Sequence, residues 1–438
     1  MTLESDLRSA IGALDDARIA ELVPQADGAV LDAILEGVRV HERVVVPNKL
    51  FGKGTRGAKK RAFDQRLRDV IALAGPSSTI ASTLKQTEWL WVIGDGDEVL
   101  DVGSLGAWAG LRSLELRGGG RARGLDRLLQ VARLSLYEVT SVDLAEITAL
   151  PGLAELSVLA KELVNGDALV SGRKLPKVHL VAATGAAATT IPRLRAEKAS
   201  VLTCDRSRAA FDGTSIGPIH GEMDELHVLA GSAVRTLRLG DVRGLDRFLL
   251  QTPALITVEG SEALASIRFA SVEGAFTDLE ILHHATGIDE LWADAPLRDL
   301  SALSRMKALR ALYLYGYDGI AALSSFAGTK DLSLDRLGLH ARTFQKGRIE
   351  PQAWKYVLRN VRPLKALSLC THLIDNLDEL PAMPTLLELD LSNCHGDLDL
   401  EPALRLFPML RRLVLRGTAV RATEVPRGLV KAGVEIVR

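Results

Sequence analysis

Cysteine is close to absent from this chain, with three in 438 residues, at positions 204, 370 and 394. So few and so widely spaced, they argue against a secreted disulfide framework. Charge of one sign is missing too. Basic residues number 54 and acidic ones 55, a formal net charge of −1, so no global field draws the chain to nucleic acid or an anionic membrane, and such binding has to be local. No apolar run approaches the ~18 residues of a membrane span, and the N-terminus carries no basic-then-apolar export signal. A cytoplasmic protein is the expectation. Alanine-rich composition and a surplus of arginine over lysine, a bias of GC-rich bacterial genomes, add the expectation of a bacterial source. Aromatic residues make up only 4%, so where they fall carries information.

The chain is rich in a repeated phrase. LLELDLSNC, from Leu386 to Cys394, returns in degraded form about every 20 to 24 residues back to roughly residue 87. Aligned on L-x-x-L-x-L, it gives LRSLELRG from Leu111, VARLSLYEV from Val131, LAELSVLA from Leu153 and LPKVHLVA from Leu175. Further copies are IDELWADA from Ile288, LRALYLYGY from Leu309, TKDLSLDRL from Thr329, LKALSLCTH from Leu364 and LRRLVLRGT from Leu410. The spacers Pro296 to Leu314 and Asn376 to Leu391 place an apolar residue at every third position before the strand. In these features the chain resembles the leucine-rich-repeat family, in its short class of about 22 residues. The resemblance implies an α/β fold, a right-handed solenoid with a parallel concave β-sheet and 3₁₀ or short α segments on its convex side. It also implies work done by binding on a curved surface. One such coil cannot bury its own leucines, whereas stacked coils turn them into one continuous core, so a chain with 47% apolar residues need not divide into globular domains. Frame leucines four and six face inward with strand period 2, and positions three, five and seven face out.

Two segments depart from the repeat. Residues 1–78 carry helical periodicity instead, with Leu3, Leu7, Ile11 and Leu14 on one face, and Phe63, Leu67, Val70 and Ile71 on another. This reads as a helical N-terminal module that caps the solenoid of residues 79–438. Over 183–275 the intervals between frame residues become irregular, Leu226, Leu237, Val258 and Ile267 lying 11, 21 and 9 apart. A longer coil over 335–363 is expected to carry a full helix, begun by Pro351 and spaced by Trp354, Val357, Leu358 and Val361.

The search for chemistry returns near misses. Gly213-Thr-Ser215-Ile-Gly217 fits G-x-S-x-G, but a hydrolase around Ser215 needs a strand, a strained turn and a helix at that point. His41-Glu42 begins a zinc motif, yet Val45 stands where the second ligand belongs. The glycine-rich stretch from Phe51 to Gly57 lacks the G-K-[ST] ending of a phosphate loop. Neither a metal nor a cofactor is expected, and the chain is read as non-catalytic.

Surface chemistry is what remains. Tyr137, Trp292, Tyr313 and Tyr315 fall at outward frame positions, with Tyr317 just beyond the strand. Large aromatics on an open face suggest a binding hot spot. The outward positions from Glu290 onward also read acidic, as Glu290, Asp294, Asp331, Asp335, Glu388 and Asp390. A protein partner on the concave face is therefore the leading expectation. The alternative is the basic segment 49–68, which holds Lys53, Arg56, Lys59, Lys60 and Arg61 and would bind nucleic acid or an acidic partner with steep salt dependence.

Overall fold

A computed structural model describes residues 2–13, 88–94, 99–165 apart from 108 and 119, 174–181, 194–202, 214–317, 332–340, 364–418 apart from 397, and 426–438. It also describes positions 18, 21, 22, 25, 30, 168, 325, 355 and 358. The chain forms two compact units, Met1–Ala199 and Ser200–Arg438.

The first unit begins with helix α1 (Leu3–Ala13), whose first turn carries Glu4 and Asp6, where carboxylates favour the helix dipole. Leu7 and Ala10 are buried. Most of the helical module expected over 1–78 lies outside the described residues. Its strands are β1 (Trp89–Gly94), β2 (Leu100–Asp101), β3 (Ser113–Gly118), β4 (Ala122–Arg123), β5 (Arg133–Asp143), β6 (Glu155–Val164) and β7 (Leu175–Val181), and β8 (Leu194–Leu202) crosses the division. Strands β1, β3, β5, β6 and β7 form a parallel ladder whose register lines up Leu90, Leu114, Leu134, Leu156 and Val178. Leu114, Leu134, Leu156 and Val178 are the fourth positions of the repeated phrase. After a register shift at Tyr137, β5 runs on into a second parallel row, pairing Ser141 to Asp143 with Glu162 to Val164 of β6.

The second unit holds β9 (Ser215–Leu229), β10 (Thr236–Arg243), β11 (Arg247–Thr252), β12 (Thr257–Glu259), β13 (Phe269–Gly274), β14 (Glu290–Asp294) and β15 (Ala311–Tyr315). It continues with β16 (Arg336–His340), β17 (Ala366–Ser368), β18 (Glu388–Asp390), β19 (Arg412–Val414) and β20 (Glu435–Val437). The uneven intervals of the middle prove to be two even series interleaved. The long β9 pairs through Ser215 and Ile216 with β10, which pairs in turn with β12, and through Glu225 to Leu229 with β11, which pairs with β13. Leu226, Phe248 and Ala270 therefore form one row, and Ile216, Leu237 and Val258 another. A phenylalanine and an alanine stand where the phrase has leucine, which hides the first row from a leucine count. From β13 the main ladder runs strand by strand to β20, parallel throughout. The connections carry 3₁₀ turns such as Ser261–Leu264, Glu280–Leu282, Ser301–Arg305 and Leu377–Glu379. Several open on a side-chain oxygen taking a backbone N–H, Asp278 from Glu280, Asp299 from Ser301 and Asn376 from Asp378, as short polar residues do at helix starts. The fold is an α/β, right-handed leucine-rich-repeat solenoid.

Two further frame positions decide where side chains go. Position eight is left-handed in several coils, occupied by Glu138, Gly316, Thr371, Asn393 and Gly417 at φ of 55 to 67. Except in β5, which continues past Glu138, that turn lies beyond the end of the strand, and it sends position nine inward. There His372, Cys394 and Thr418 reach the carbonyl of frame leucine six in the preceding coil: His372 Nε2 to Leu339 at 3.1 Å, Cys394 Sγ to Leu369 at 2.8 Å, and the Thr418 hydroxyl to Leu391. These carbonyls lie beyond the ladder's own pairing, and buried acceptors need partners. Burial lowers the His372 pKa to about 4 and raises the Cys394 thiol to about 12, so both sit neutral in the core.

Candidate functional site

Strand alternation in β13 to β18 buries one set of side chains and presents the other. Leu291, Leu312, Leu337, Leu367 and Leu389 are all essentially inaccessible, and the residues between them face out. In the main ladder Trp292 lies in register with Tyr313, and Asp294 with Tyr315. The Trp292 and Tyr313 rings are 4.7 Å apart and tilted by 41°, Trp292 and Tyr315 stack at 6.0 Å, and Tyr315 meets His340 at 4.5 Å. Such offset contacts between neighbouring strands are favourable. They still leave Trp292 38% exposed, one of the few large apolar side chains open to solvent. The indole N–H donates to Glu290, which fixes the ring's orientation. Tyr313 leans over Gly338, where an added Cβ would lie 2.5 Å from its Cδ1.

That glycine also explains a correction. The segment LSLDRLGL holds two overlapping frames, and the one on Leu332 and Leu334 would place Asp331 and Asp335 outward. Pairing with β15 instead selects Leu337 and Leu339, opposite Leu312 and Leu314. The selected register puts Gly338 beside Tyr313 and gives the ring its space. Asp335 therefore precedes the strand, where it pairs with Lys365 at 2.8 Å, and that hydrogen bond holds its carboxyl below the ordinary range. Asp331 lies outside the described residues. The outward residues of this coil are Arg336 and His340, which the frame on Leu332 and Leu334 conceals. Burial lowers the His340 pKa, and its Nε2 lies 3.1 Å from the Ser368 hydroxyl.

Tyr317 is a second correction. It occupies position nine, after the left-handed Gly316, and is only 2% exposed. Its hydroxyl lies 3.1 Å from His372 Nε2, and burial pushes its pKa up. It belongs to the core. The acidic run is also less crowded than its sequence suggests. Glu388 pairs with Arg412 at 3.1 Å, and Arg412 also lies 3.6 Å from Glu435. Asp390 accepts the backbone N–H and the hydroxyl of Ser392 at 2.9 and 2.6 Å.

Tyr137 belongs to the first unit, half-buried, in register with Arg117 and Leu159. Ser215 lies in β9, paired with Thr236, and a serine within a strand lacks the sharp strand-to-helix turn that exposes a nucleophile. Among the described residues no group of three or more His, Cys, Asp or Glu side chains could hold a metal. No helix among them is long and apolar enough to cross a membrane. The basic segment with Lys53, Arg56, Lys59, Lys60 and Arg61, and most of the coil over 335–363, lie outside the described residues. Of that coil, Lys355 and Leu358 are helical and Leu358 is buried.

No family model matches the chain, and no curated protein does. Among solved structures it is similar to an internalin (inlF) from Listeria monocytogenes, at 15% identity over 82% of this chain and 88% of that one, with a TM-score of 0.32. Others are a TLR13–ssRNA13 complex (15%, 77% and 64%, 0.35) and the functional domain of InlJ from Listeria monocytogenes (14%, 76% and 69%, 0.33). These are leucine-rich-repeat proteins. The chain spans 64% of the TLR13 chain it matches. Likeness of this order says nothing about what the chain binds.

Proposed function

We propose that this protein is a binding scaffold that acts without catalysis and recognises a protein partner on the outward face of the main ladder, around Trp292, Tyr313 and Tyr315. One observation carries the reading: an indole left 38% exposed on a sheet face where the neighbouring rings of Tyr313, Tyr315 and His340 are half-buried. A stack built only to shield the sheet would be expected to cover its largest ring. Tryptophan and tyrosine offer contact area at little cost in rotamer freedom, which is why they dominate interface hot spots. The flanking acids Glu273, Glu290 and Asp294 steer a partner with basic flanks toward the stack.

The test is comparative capture. Proteins retained by the full chain are compared with those retained by Trp292→Ala/Tyr313→Ala and by Lys59→Glu/Lys60→Glu/Arg61→Glu. A partner lost with the aromatic pair and kept by the basic triple supports the reading. The reverse pattern moves the site to the basic segment.

A further inference from the structure

The outward positions of β13, β14 and β15 hold three carboxylates, Glu273, Glu290 and Asp294, four aromatic rings, and no lysine or arginine. Within that patch the ring contacts of Trp292 all lie toward β15. Toward β15 its ring meets Tyr313 and Tyr315. Toward β13 its register partner is Ser271, whose short side chain cannot cover an indole.

The same face shows how the next aromatic row is completed. The Arg247 guanidinium lies 3.9 Å over the Phe269 ring, with Glu225 as its counter-charge at 3.2 Å. Ring, guanidinium and carboxylate form one unit there, all supplied by the chain. At Trp292 the ring and the carboxylates are present, but among the described residues no cation of the chain stands over the ring. The indole N–H given to Glu290 makes the ring more electron-rich, and Glu273 stands in register with Asp294 beside it.

We infer that the slot over Ser271 receives an arginine side chain from the partner, its guanidinium flat on the Trp292 face toward β13 and its charge met by Glu273. A planar, weakly hydrated guanidinium suits a flat ring between carboxylates better than a compact ammonium does. The inference rests on the binding face proposed above and names the side chain that face selects.

Two short synthetic peptides that differ only by arginine or the uncharged isostere citrulline are titrated into the full chain at low salt, with binding read by calorimetry. The arginine peptide should bind about tenfold tighter or more. That preference should vanish in Trp292→Ala. It should vanish equally in Ser271→Leu, which fills the slot and keeps the ring, and remain in Arg405→Gln, which alters a separate ion pair with Asp378. Should Trp292→Ala fail to fold, Ser271→Leu decides alone. Equal binding of the two peptides, no binding of either, or a preference that survives Ser271→Leu overturns the assignment. Failure of the binding face itself shows differently, as a captured partner whose affinity ignores both Trp292 and Tyr313.

Discussion

Acid should weaken this protein through one histidine. His372 lies in the core with its Nε2 near the Leu339 carbonyl and the Tyr317 hydroxyl, and burial lowers its pKa to about 4 from 6.5. The folded state thus holds the ring neutral down to about pH 4, while the unfolded chain takes up the proton near 6.5. In that window the unfolded state binds more protons, so stability present above pH 6.5 is lost as pH falls toward 4. At about 1.4 kcal/mol per pH unit the full loss is roughly 3 kcal/mol, most of which should have appeared at pH 4.5. The ring is almost wholly buried, so solvent screening does not reduce this figure much. Many other groups titrate over the same range, so the quantity to measure is the difference between wild type and His372→Asn, in urea unfolding at pH 7.5 and pH 4.5. Asparagine keeps an N–H donor at position nine and does not titrate. Wild type should lose roughly 2 to 3 kcal/mol relative to the variant over that interval. Parallel loss in both proteins would mean that His372 is solvated or already charged in the folded state.

Four further substitutions test the frame itself. Leu389→Ala should cost about 2 to 5 kcal/mol by leaving a cavity, and Asp390→Ala only about 1 kcal/mol, through its lost bonds to Ser392; similar losses by chemical denaturation would mean the strand faces are wrongly assigned. Thr371 is β-branched at a φ of 65, where the next coil uses Asn393, so Thr371→Asn should raise stability by roughly 0.5 to 1 kcal/mol, and a loss would count against strain at position eight. Gly316→Ala, at a φ of 67, should cost about 1 kcal/mol; an unchanged melting temperature would refute the left-handed requirement there.

The core was largely legible because burial repeats: where leucines four and six are both present, as in LRALYLYGY and LLELDLSNC, the strand falls where the phrase places it. Legibility failed where the apolar pattern had two solutions or none. Leu332, Leu334, Leu337 and Leu339 satisfy two frames equally, and the choice rests on space for the Tyr313 ring over Gly338, a contact between coils that one coil's sequence does not contain. Phe248 and Ala270 serve as core residues without being leucine, so their row escaped a leucine count. Tyr317 escapes simple alternation because it lies one step past the strand, beyond the left-handed turn at Gly316 that reverses it. The outward placement of Trp292, Tyr313 and Tyr315 was legible, because their strands carry clear frames. Ser271 and His340 were missed because neither a short residue nor a lone histidine is conspicuous until its neighbours are known.

The central claim is that the exposed aromatic face of the main ladder is the binding site, and the dissociation constant of a captured partner for Trp292→Ala, set against wild type, tests it most directly. A loss of about 2 kcal/mol or more, roughly thirtyfold, with the melting transition nearly unchanged, is the predicted result. An affinity within about twofold of wild type, from a variant that folds as well, would contradict it.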